Sequence, residues 1–295
     1  MPRGGWGRQG FRAFSWICGD WGVAKVLRAA GGRRAYGGGV EVHLVPCLKD
    51  NYAYLLHLPG SSDAIVVDAS EEGPVLAELE RLGLTPRAIL ATHHHVDHVG
   101  GNEGVLARYP GVKVFGYQTD RGRIPGQTDF LEDAQEFDVA GIGVKALHIP
   151  GHTLGAVAYV AEGAAFTGDT LFAAGCGRLF EGTAAQMYES LNLKLGALPD
   201  DTRIYCGHEY TLSNLRFAES LEPNNVAIAT KLAWAQAARD KGEPTLPSTL
   251  REERMTNPFL RVAEKDVVAK VNERLAQDRS PQAVLAAVRA MKDAF

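Results

Sequence analysis

The chain has 295 residues, 45% of them hydrophobic, so it is long enough to bury a sizeable core in one large domain or two. No run approaches the roughly 20 apolar residues that a membrane-spanning helix requires, which excludes a membrane-spanning protein. The net charge is −4, and residues 40–295 carry about −10. An acidic body of this kind argues against a nucleic-acid partner, which would need a basic face.

Residues 1–39 differ in composition from the rest of the chain. They contain 11 of the 33 glycines and carry seven Lys or Arg against one acidic residue, Asp20. The segment has only one serine, and Asp20 and Lys25 interrupt its apolar centre, which disfavours a targeting peptide. We expect a disordered extension, or the product of translation begun upstream of a natural start near Val40. Organellar targeting is the weaker alternative.

The four cysteines indicate the compartment. They are far apart, without CxxC pairs or the density of a disulfide scaffold. Free thiols of this kind are typical of a reducing environment, so we expect a cytoplasmic protein. Cys206 lies two residues before His208 and is interpreted as a buried strand cysteine.

After Val40 the pattern becomes regular. Runs rich in β-formers, separated by turn residues, predict strands at "VEVHLVPCL", "YAYLLHL" and "AIVVDA". Apolar residues at helical spacing predict a helix over residues 71–82 that closes at Gly83. The next strand, "RAILAT", leads directly into a cluster of histidines, which therefore lies on the loop after a strand.

The middle of the chain adds a second group of strands. Strands are predicted at "VKVFG", "IGVKALHI", "AVAYVAE", "AAFTGDT" and "TRIYCGHEY", with helices at residues 101–109 and after a Thr183/Gln186 capping box. Two groups of strands, each with helices on one side, predict an α+β fold of two sheets packed face to face. After Tyr210 only helical patterns follow, at "LSNLRFAESL", "VAIATKLAWAQAARDKG" and "PQAVLAAVRAMKDAF", with "GEPTLPSTL" and "NPF" as proline-marked connections. We therefore predict one domain at residues 40–212 and a helical domain at residues 213–295.

The stretch "THHHVDH" places four histidines and an aspartate within seven residues. On an extended segment His93, His95 and Asp97 project to one side, and His94 projects to the other and is expected to be a bystander. Imidazole and carboxylate groups suit zinc, iron or manganese. A polar helix-capping loop is the alternative, but so many unpaired, partly buried ligand groups would cost several kcal/mol.

This cluster offers more ligands than one ion needs. A catalytic zinc usually takes about three ligands from the protein, so a second ion becomes a candidate. Further ligands are available at three strand ends, as His152 in "PGHTLG", Asp169 in "FTGDTLF" and His208 in "YCGHEY". Three other histidines fall within strand patterns and are interpreted as structural: His43, His57 and His148.

The motifs "THHHVDH", "GHT", "FTGDTLF" and "GHEY", in this order, resemble the ligand motifs of the metallo-β-lactamase superfamily. The stretches "GCGRLFEGTAAQMYESL", "LPDDTRIYCGHEYTLSNLRFA" and "VRAMKDAF" resemble glyoxalase II, the hydroxyacylglutathione hydrolases. The resemblance covers about Val40 to Phe295. It implies a metallo-β-lactamase-like αβ/βα sandwich at residues 40–212 and a helical, glutathione-binding domain at residues 213–295.

The resemblance also implies a site for two divalent metal ions, with zinc favoured and iron or manganese as alternatives. It divides the metal ligands into three sets: His93, His95 and His152 for one ion; Asp97, His98 and His208 for the other; and Asp169 as the bridge. Asp97 and Asp169 are the implied catalytic carboxylates. A hydroxide shared by the ions would attack a thioester carbonyl, and the sulfur would leave as a thiolate.

Five residues are implied to contact the glutathione portion of the substrate: Arg178, Phe180, Tyr210, Arg289 and Lys292. Cations suit the two carboxylates of glutathione, and Arg289 and Lys292 share one helical face because they are three residues apart. Some relatives carry tyrosine in place of Phe180. The missing hydroxyl removes one candidate hydrogen bond, worth about 0.5–1.5 kcal/mol.

The implied activity is hydrolysis of S-(2-hydroxyacyl)glutathione thioesters, above all S-D-lactoylglutathione, to D-lactate and glutathione in methylglyoxal detoxification. A persulfide-dioxygenase-like enzyme with one iron is an alternative, disfavoured because such relatives use fewer ligands. A non-catalytic metal-binding homologue is another, disfavoured because every expected ligand type is present. We expect a monomer that binds a glutathione thioester, with neither a nucleic acid nor a membrane as partner.

Overall fold

The computed structural model describes Met1, residues 39–275 and residues 278–295. The expectations for the basic segment at residues 1–39 concern residues that lie, apart from Met1 and Gly39, outside this description. Residues Gly38–Phe295 form one compact unit. Within the described part of the chain, no helix has both the length and the apolar character needed to cross a membrane.

The first sheet is formed by the N-terminal half of the unit. Its six strands follow one another in sequence order: β1 (Glu41–Cys47), β2 (Asn51–His57), β3 (Asp63–Val67), β4 (Thr85–Leu90), β5 (Lys113–Tyr117) and β6 (Asp129–Leu131). Strands β1 to β3 are antiparallel, and β3 to β6 are parallel. The parallel strands therefore end at one edge of the sheet, where the histidine cluster follows β4.

The second sheet is formed mainly by the middle of the chain. Its strands are β7 (Glu136–Val139), β8 (Ile142–His148), β9 (Val157–Ala161), β10 (Ala164–Gly168), β13 (Arg203–Cys206) and β14 (Ser248–Thr249). They are ordered β14-β13-β10-β9-β8-β7, and only β10 and β13 pair in parallel. A small hairpin of β11 (Leu171–Phe172) and β12 (Gly175–Cys176) follows β10.

The two sheets pack face to face through apolar side chains. Tyr54 of β2 contacts Phe166 of β10 and Tyr205 of β13, with ring centroids 5.4 and 5.2 Å apart. All three rings belong to one buried cluster drawn from both sheets. Because burial of a large apolar side chain contributes about 1.5–3 kcal/mol, this layer holds the sheets together. The predicted α+β class with two packed sheets is confirmed.

Helices cover the outer faces of both sheets. They are α1 (Glu72–Leu82), α2 (Val96–Val99), α3 (Asn102–Arg108), α4 (Ala184–Tyr188), α5 (Thr211–Leu221), α6 (Val226–Asp240), α7 (Leu250–Thr256), α8 (Lys265–Val271) and α9 (Pro281–Asp293). Helices α1 and α3 pack on the first sheet, whereas α4, α5, α8 and α9 pack on the second. The predicted end of α1 at Gly83 and the Thr183/Gln186 capping box are both present.

The C-terminal region contains elements that the sequence pattern did not predict. Helices α7 and α8 were not expected, and β14 and the start of α7 lie in a stretch interpreted as a connection. Thr249 caps α7 through a capping box with Glu252. Because β14 pairs with β13, a segment beyond residue 212 contributes to the second sheet. The division into domains at residue 212 stays a prediction.

Candidate metal centre and substrate cavity

The histidine cluster changes conformation part-way along. His93 and His95 lie on the loop after β4, and His95 is the N-cap of the short helix α2. The extended alternation therefore ends at His95, and Asp97 lies in the first turn of α2 rather than beside His93 and His95. The expectation that one extended face carries all three side chains is wrong in this respect, because the helix turns Asp97 toward a different set of neighbours.

The other predicted ligands also follow strand ends. Asp169 comes directly after β10, His208 two residues after β13, and His152 four residues after β8. Because β10 and β13 are parallel, their carboxyl ends meet at one edge, where open sheets commonly bind ligands. All seven predicted ligands meet there in three overlapping groups: His93, His95 and His152; His93, His98 and Asp169; and Asp97, His98 and His208.

The first group consists of three imidazoles. Nδ1 of His95 lies 3.0 Å from Nε2 of His93 and 3.1 Å from Nε2 of His152. Tetrahedral zinc with Zn–N bonds near 2.0–2.1 Å would separate its ligand nitrogens by about 3.3 Å. The spacing therefore fits three imidazoles on one small cation.

The second group mixes carboxylates and imidazoles. Oδ2 of Asp97 lies 3.4 Å from Nε2 of His208 and 3.8 Å from Nε2 of His98. Asp169 connects the two groups, since its carboxylate lies 3.2 Å from His98, 3.3 Å from His208 and 3.5 Å from His152. This position is the one that a bridging ligand would need.

Hydrogen bonds outside the centre set the orientation of the imidazoles. Three Nδ1 atoms donate to oxygens at 2.8 Å: those of His98 to Asp68, His208 to Asp50 and His152 to the main chain of Arg178. With the proton fixed on Nδ1, Nε2 presents a lone pair to the centre. Sequence reasoning missed Asp50 and Asp68, although Asp68 ends the strand "AIVVDA", where it could have been suspected.

Asp68 is the most heavily engaged of these outer residues. Besides His98, its carboxylate accepts hydrogen bonds from the main-chain N–H and the hydroxyl of Thr92, each at 2.7 Å. It is buried and has a φ of 50°, a left-handed conformation that is uncommon outside glycine. Such strain persists where the surroundings hold a residue firmly, so Asp68 ties β3, the loop after β4 and α2 together.

Two buried atoms at the centre show that its donor set fits a cation. Among the described residues, Nε2 of His98 and Oδ1 of Asp169 are both buried without a hydrogen-bond partner, although they lie 3.2 Å apart. A positive ion between them would satisfy both, so the donor set fits a metal. Gly207 leaves room for this arrangement, since a Cβ there would lie 2.5 Å from both residues.

The two ligand groups differ in their proton affinity. In the first group, burial and the neighbouring His152 lower the pKa of His95 to about 4, so the ring of His95 is neutral. Burial also opposes the charging of His208, but hydrogen bonds to Asp169 and Asp97 outweigh it and raise its pKa to about 10. The second group, which contains the carboxylates, therefore stabilises positive charge on His208. A divalent cation can take the place of the proton on that ring.

His94 belongs to none of these candidate ligand groups, but it makes contacts of its own. Its Nδ1 lies 3.1 Å from the buried carboxylate of Asp120, and Arg123 donates to its Nε2. Arg123 also donates to Glu181 at 2.6 Å, and Glu181 accepts from the main chain of Leu154 at 2.8 Å. His94 therefore joins the ligand loop to the loop that carries Phe180.

A cavity of about 470 Å³ opens beside the metal centre. His152 and Asp169 form part of its wall, together with all five residues predicted to contact the substrate: Arg178, Phe180, Tyr210, Arg289 and Lys292. The volume suits a ligand of small-peptide size. The ring of Phe180 lies beside His152 at 5.1 Å, and Tyr210 stacks on His208 at 4.7 Å.

The three cations of the cavity are held in different ways. Arg289 is buried, donating to the main chain of Cys176 at 2.7 Å and to Asp293 at 3.0 Å. Asp293 also lies 3.5 Å from the exposed Arg178, so it links both arginines, a role that sequence reasoning missed. Lys292 donates to the main chain of Ser213 at 3.0 Å, and burial, reinforced by Arg289, lowers its pKa to about 8.

Comparison with protein families divides the chain into two matched parts. The model of the metallo-β-lactamase superfamily matches residues 49–208, and that of the hydroxyacylglutathione hydrolase C-terminus matches residues 209–295. A protein of Synechococcus sp. named hydroxyacylglutathione hydrolase is 50% identical over 258 residues, which cover 87% of this chain and all of the relative. The chain belongs to the hydroxyacylglutathione hydrolase family.

A second named relative resembles the chain along nearly its whole length. A protein of Arabidopsis thaliana named cytoplasmic hydroxyacylglutathione hydrolase is 44% identical over 86% of this chain and 98% of its own length. Among solved structures, TTHA1623 in a di-iron-bound form is 25% identical with a TM-score of 0.51, covering 73% of this chain and 98% of that one. The metallo-β-lactamase fold expected from the motifs is confirmed.

Proposed function

We propose that the chain hydrolyses S-(2-hydroxyacyl)glutathione thioesters, with S-D-lactoylglutathione as principal substrate and D-lactate and glutathione as products. One observation carries the proposal: seven candidate metal ligands converge beside a cavity, and two of them, His152 and Asp169, form its wall together with three cations. The names of the relatives support the same activity. The Arabidopsis relative, named as cytoplasmic, supports the cytoplasm as compartment; the monomeric state stays a prediction.

The donor set supports two divalent ions per chain, with zinc as the preferred metal because the ligands are imidazoles and carboxylates. His93, His95 and His152 would hold one, Asp97, His98 and His208 the other, and Asp169 both. When bound, such ions supply Lewis acidity and lower the pKa of coordinated water toward about 7. Iron and manganese suit the same donors.

The residues of the cavity orient the substrate. Arg178 and Lys292 present positive charge to the two carboxylates of glutathione, and Arg289 reinforces that field from its buried position. The cavity leads from these cations to His152 and Asp169, so a bound thioester extends its carbonyl toward the metal ligands. Holding the reacting groups in this orientation lowers the activation barrier, because translational and rotational entropy has already been lost on binding.

The two catalytic carboxylates add negative charge beside the histidines and hold the two ligand groups together. Asp169 lies among His98, His152 and His208 and keeps the two ligand groups together, while Asp97 adds negative charge beside His208. The leaving group needs no proton from the protein, because a thiol with a pKa near 8.5 departs readily as a thiolate.

The decisive experiment measures thioester hydrolysis by the purified chain alongside metal content. We expect Asp169→Asn and His208→Ala to lose more than about 100-fold in rate, since residues one step further from a metal already cost 10–100-fold. Asp138→Asn, an exposed aspartate on β7, and His148→Gln are the matched controls. Hydrolysis that persisted in both site variants would refute the mechanism; one iron per chain with oxygen uptake on glutathione persulfide would favour the dioxygenase alternative.

A further inference from the structure

Three more ligand-type side chains meet at the outer edge of the first sheet: Glu41 and His43 on β1 and His57 on β2. The strand pairing brings them together, since Glu41 lies directly opposite His57. Side chains alternate along a strand, so Glu41 and His43 also share one face. The sequence pattern could not show this, and there both histidines were interpreted as structural.

This cluster is separate from the metal centre. Asn51, at the other end of β2, donates to Asp97 of the metal centre at 3.1 Å, so that end of the strand lies beside the metal centre. His57 is six residues further along the same strand, which places it roughly 20 Å away at about 3.3 Å per residue. The two groups therefore share no ligand.

The ligand atoms are close enough to bind one ion. Nε2 of His57 lies 3.0 Å from Nε2 of His43 and 3.3 Å from Oε2 of Glu41. These separations are near the roughly 3.3 Å between donors on a tetrahedral zinc. Glu41 is half exposed, so water can complete the coordination.

The hydrogen bonding of His57 turns one ring nitrogen toward the cluster. Nδ1 of His57 donates to the main-chain oxygen of Leu58 at 3.0 Å, so Nε2 faces His43 and Glu41. Without an ion, one of the two Nε2 atoms of His43 and His57 donates a hydrogen bond to the other. A metal ion would replace that shared hydrogen and bind both nitrogens and the carboxylate of Glu41.

The surroundings favour a neutral imidazole as ligand at His43. Burial, followed by the neighbouring His57, lowers the pKa of His43, and metal binding requires the neutral ring. Glu41 and Glu78 of α1 place negative charge near the same ring, whereas Arg81, which donates to Glu78 at 2.6 Å, places positive charge there. Glu41 is therefore the carboxylate that attracts a cation. The two rings are parallel, as suits a hydrogen-bonded pair, and coordination requires a rotation about the soft χ2 bond.

We propose that Glu41, His43 and His57 form a second metal site, for one zinc ion held by two imidazoles and one carboxylate. The site clamps the edge strand β1 to β2 at the end remote from the metal centre. It takes no part in hydrolysis, so its occupancy and the activity of the enzyme are independent.

The test is equilibrium dialysis of the metal-loaded protein against buffers of defined free zinc, followed by metal quantification. Wild type is expected to hold one zinc more per chain than His57→Gln or His43→Gln. Glu41→Gln is expected to bind that zinc at least about tenfold more weakly, because even outer partners of metal ligands cost 10–100-fold. Glu136→Gln, an exposed glutamate on the edge strand β7, is the matched control and should equal wild type.

Imidazole nitrogen NMR provides a second measurement. Added zinc is expected to shift the Nε2 resonances of His43 and His57 and to leave His148 unchanged. Equal zinc content in wild type, His43→Gln and His57→Gln up to millimolar free zinc, or a proton retained on Nε2 of His57 in zinc-saturated protein, would overturn the proposal. Thermal unfolding of each variant in chelator confirms that it folds as wild type does.

Discussion

The metal centre and the substrate cavity share His152 and Asp169 but are constructed in opposite ways. Most side chains of the centre are buried, and three of its histidines are oriented by hydrogen bonds to Asp68, Asp50 or the main chain of Arg178. The cavity takes its cations from the loop after β12 and from α9, and one of them, Arg178, is mostly exposed. The difference teaches that the centre is made for a fixed ion and the cavity for a ligand that enters and leaves.

The largest effect is expected from removing a support of the centre. Asp68→Asn should lower metal affinity about 10–100-fold, because the amide replaces the charge that fixes His98. It should also destabilise the fold by a few kcal/mol, since Thr92 loses a charged acceptor in the interior. Metal content after dialysis and thermal unfolding measure the two effects. Unchanged metal content would show that metal binding does not depend on the hydrogen bond from His98 to Asp68. Asp63→Asn, at a more exposed residue of β3, is the control.

A support of the cavity should act on substrate binding alone. Asp293→Asn removes the anion that holds Arg178 and Arg289, and hydrogen bonds to charged groups contribute about 1.5–3 kcal/mol. We expect KM to rise about tenfold while kcat and metal content stay near wild type. A fall in kcat with loss of metal would mean that the two regions are not separable. Asp240→Asn, on α6, provides the comparison.

Substrate binding in the cavity should also depend on pH near 8. The pKa of Lys292 is lowered to about 8, so its ammonium is charged below that pH and neutral above it. KM is therefore expected to increase as pH rises through about 8, because one carboxylate of the substrate loses its cation. Lys292→Arg should abolish this increase, since arginine stays charged throughout. The same increase in the arginine variant would assign it to another group.

The smallest effect is expected from Phe180, whose ring lies in the cavity wall beside the metal centre. Phe180→Tyr adds a hydroxyl beside His95 and His152. If it bonds to the substrate it contributes about 0.5–1.5 kcal/mol, so KM should fall about two- to tenfold with kcat unchanged. Steady-state kinetics decide this, and an unaltered KM would place the hydroxyl outside the reach of the substrate. Phe130→Tyr on β6 serves as a control.

Much of the centre was predictable because its signals are local. Five ligand-type residues crowd into Thr92–His98, and Asp169 and His208 each follow a recognisable strand. Asp50 and Asp293 were missed because a single aspartate in a turn or near the C-terminus carries no such signal, whereas Asp68 follows a predicted strand but its partner His98 could not be read from the sequence. Their partners are distant in sequence, and only the folded chain brings them together.

The helices show the same limit. Long elements such as α1 and α9 were predicted because apolar residues repeat over several turns. Helix α7, with seven residues, offers too few repeats, and it is held by packing and by the buried Glu253, which accepts from the main chain of Ala174 at 2.7 Å. Short elements depend on the surface against which they dock.

The sequence by itself determined the kinds of ligand, the two groups of strands and the family to which the chain belongs, because each depends on residue type and local spacing. The tertiary structure decided which ligands share a group, which oxygens orient them and that His43 meets His57. Those relations depend on strand register and on which sheet edges coincide. Register follows from burial across the whole unit, and no short stretch of sequence contains it.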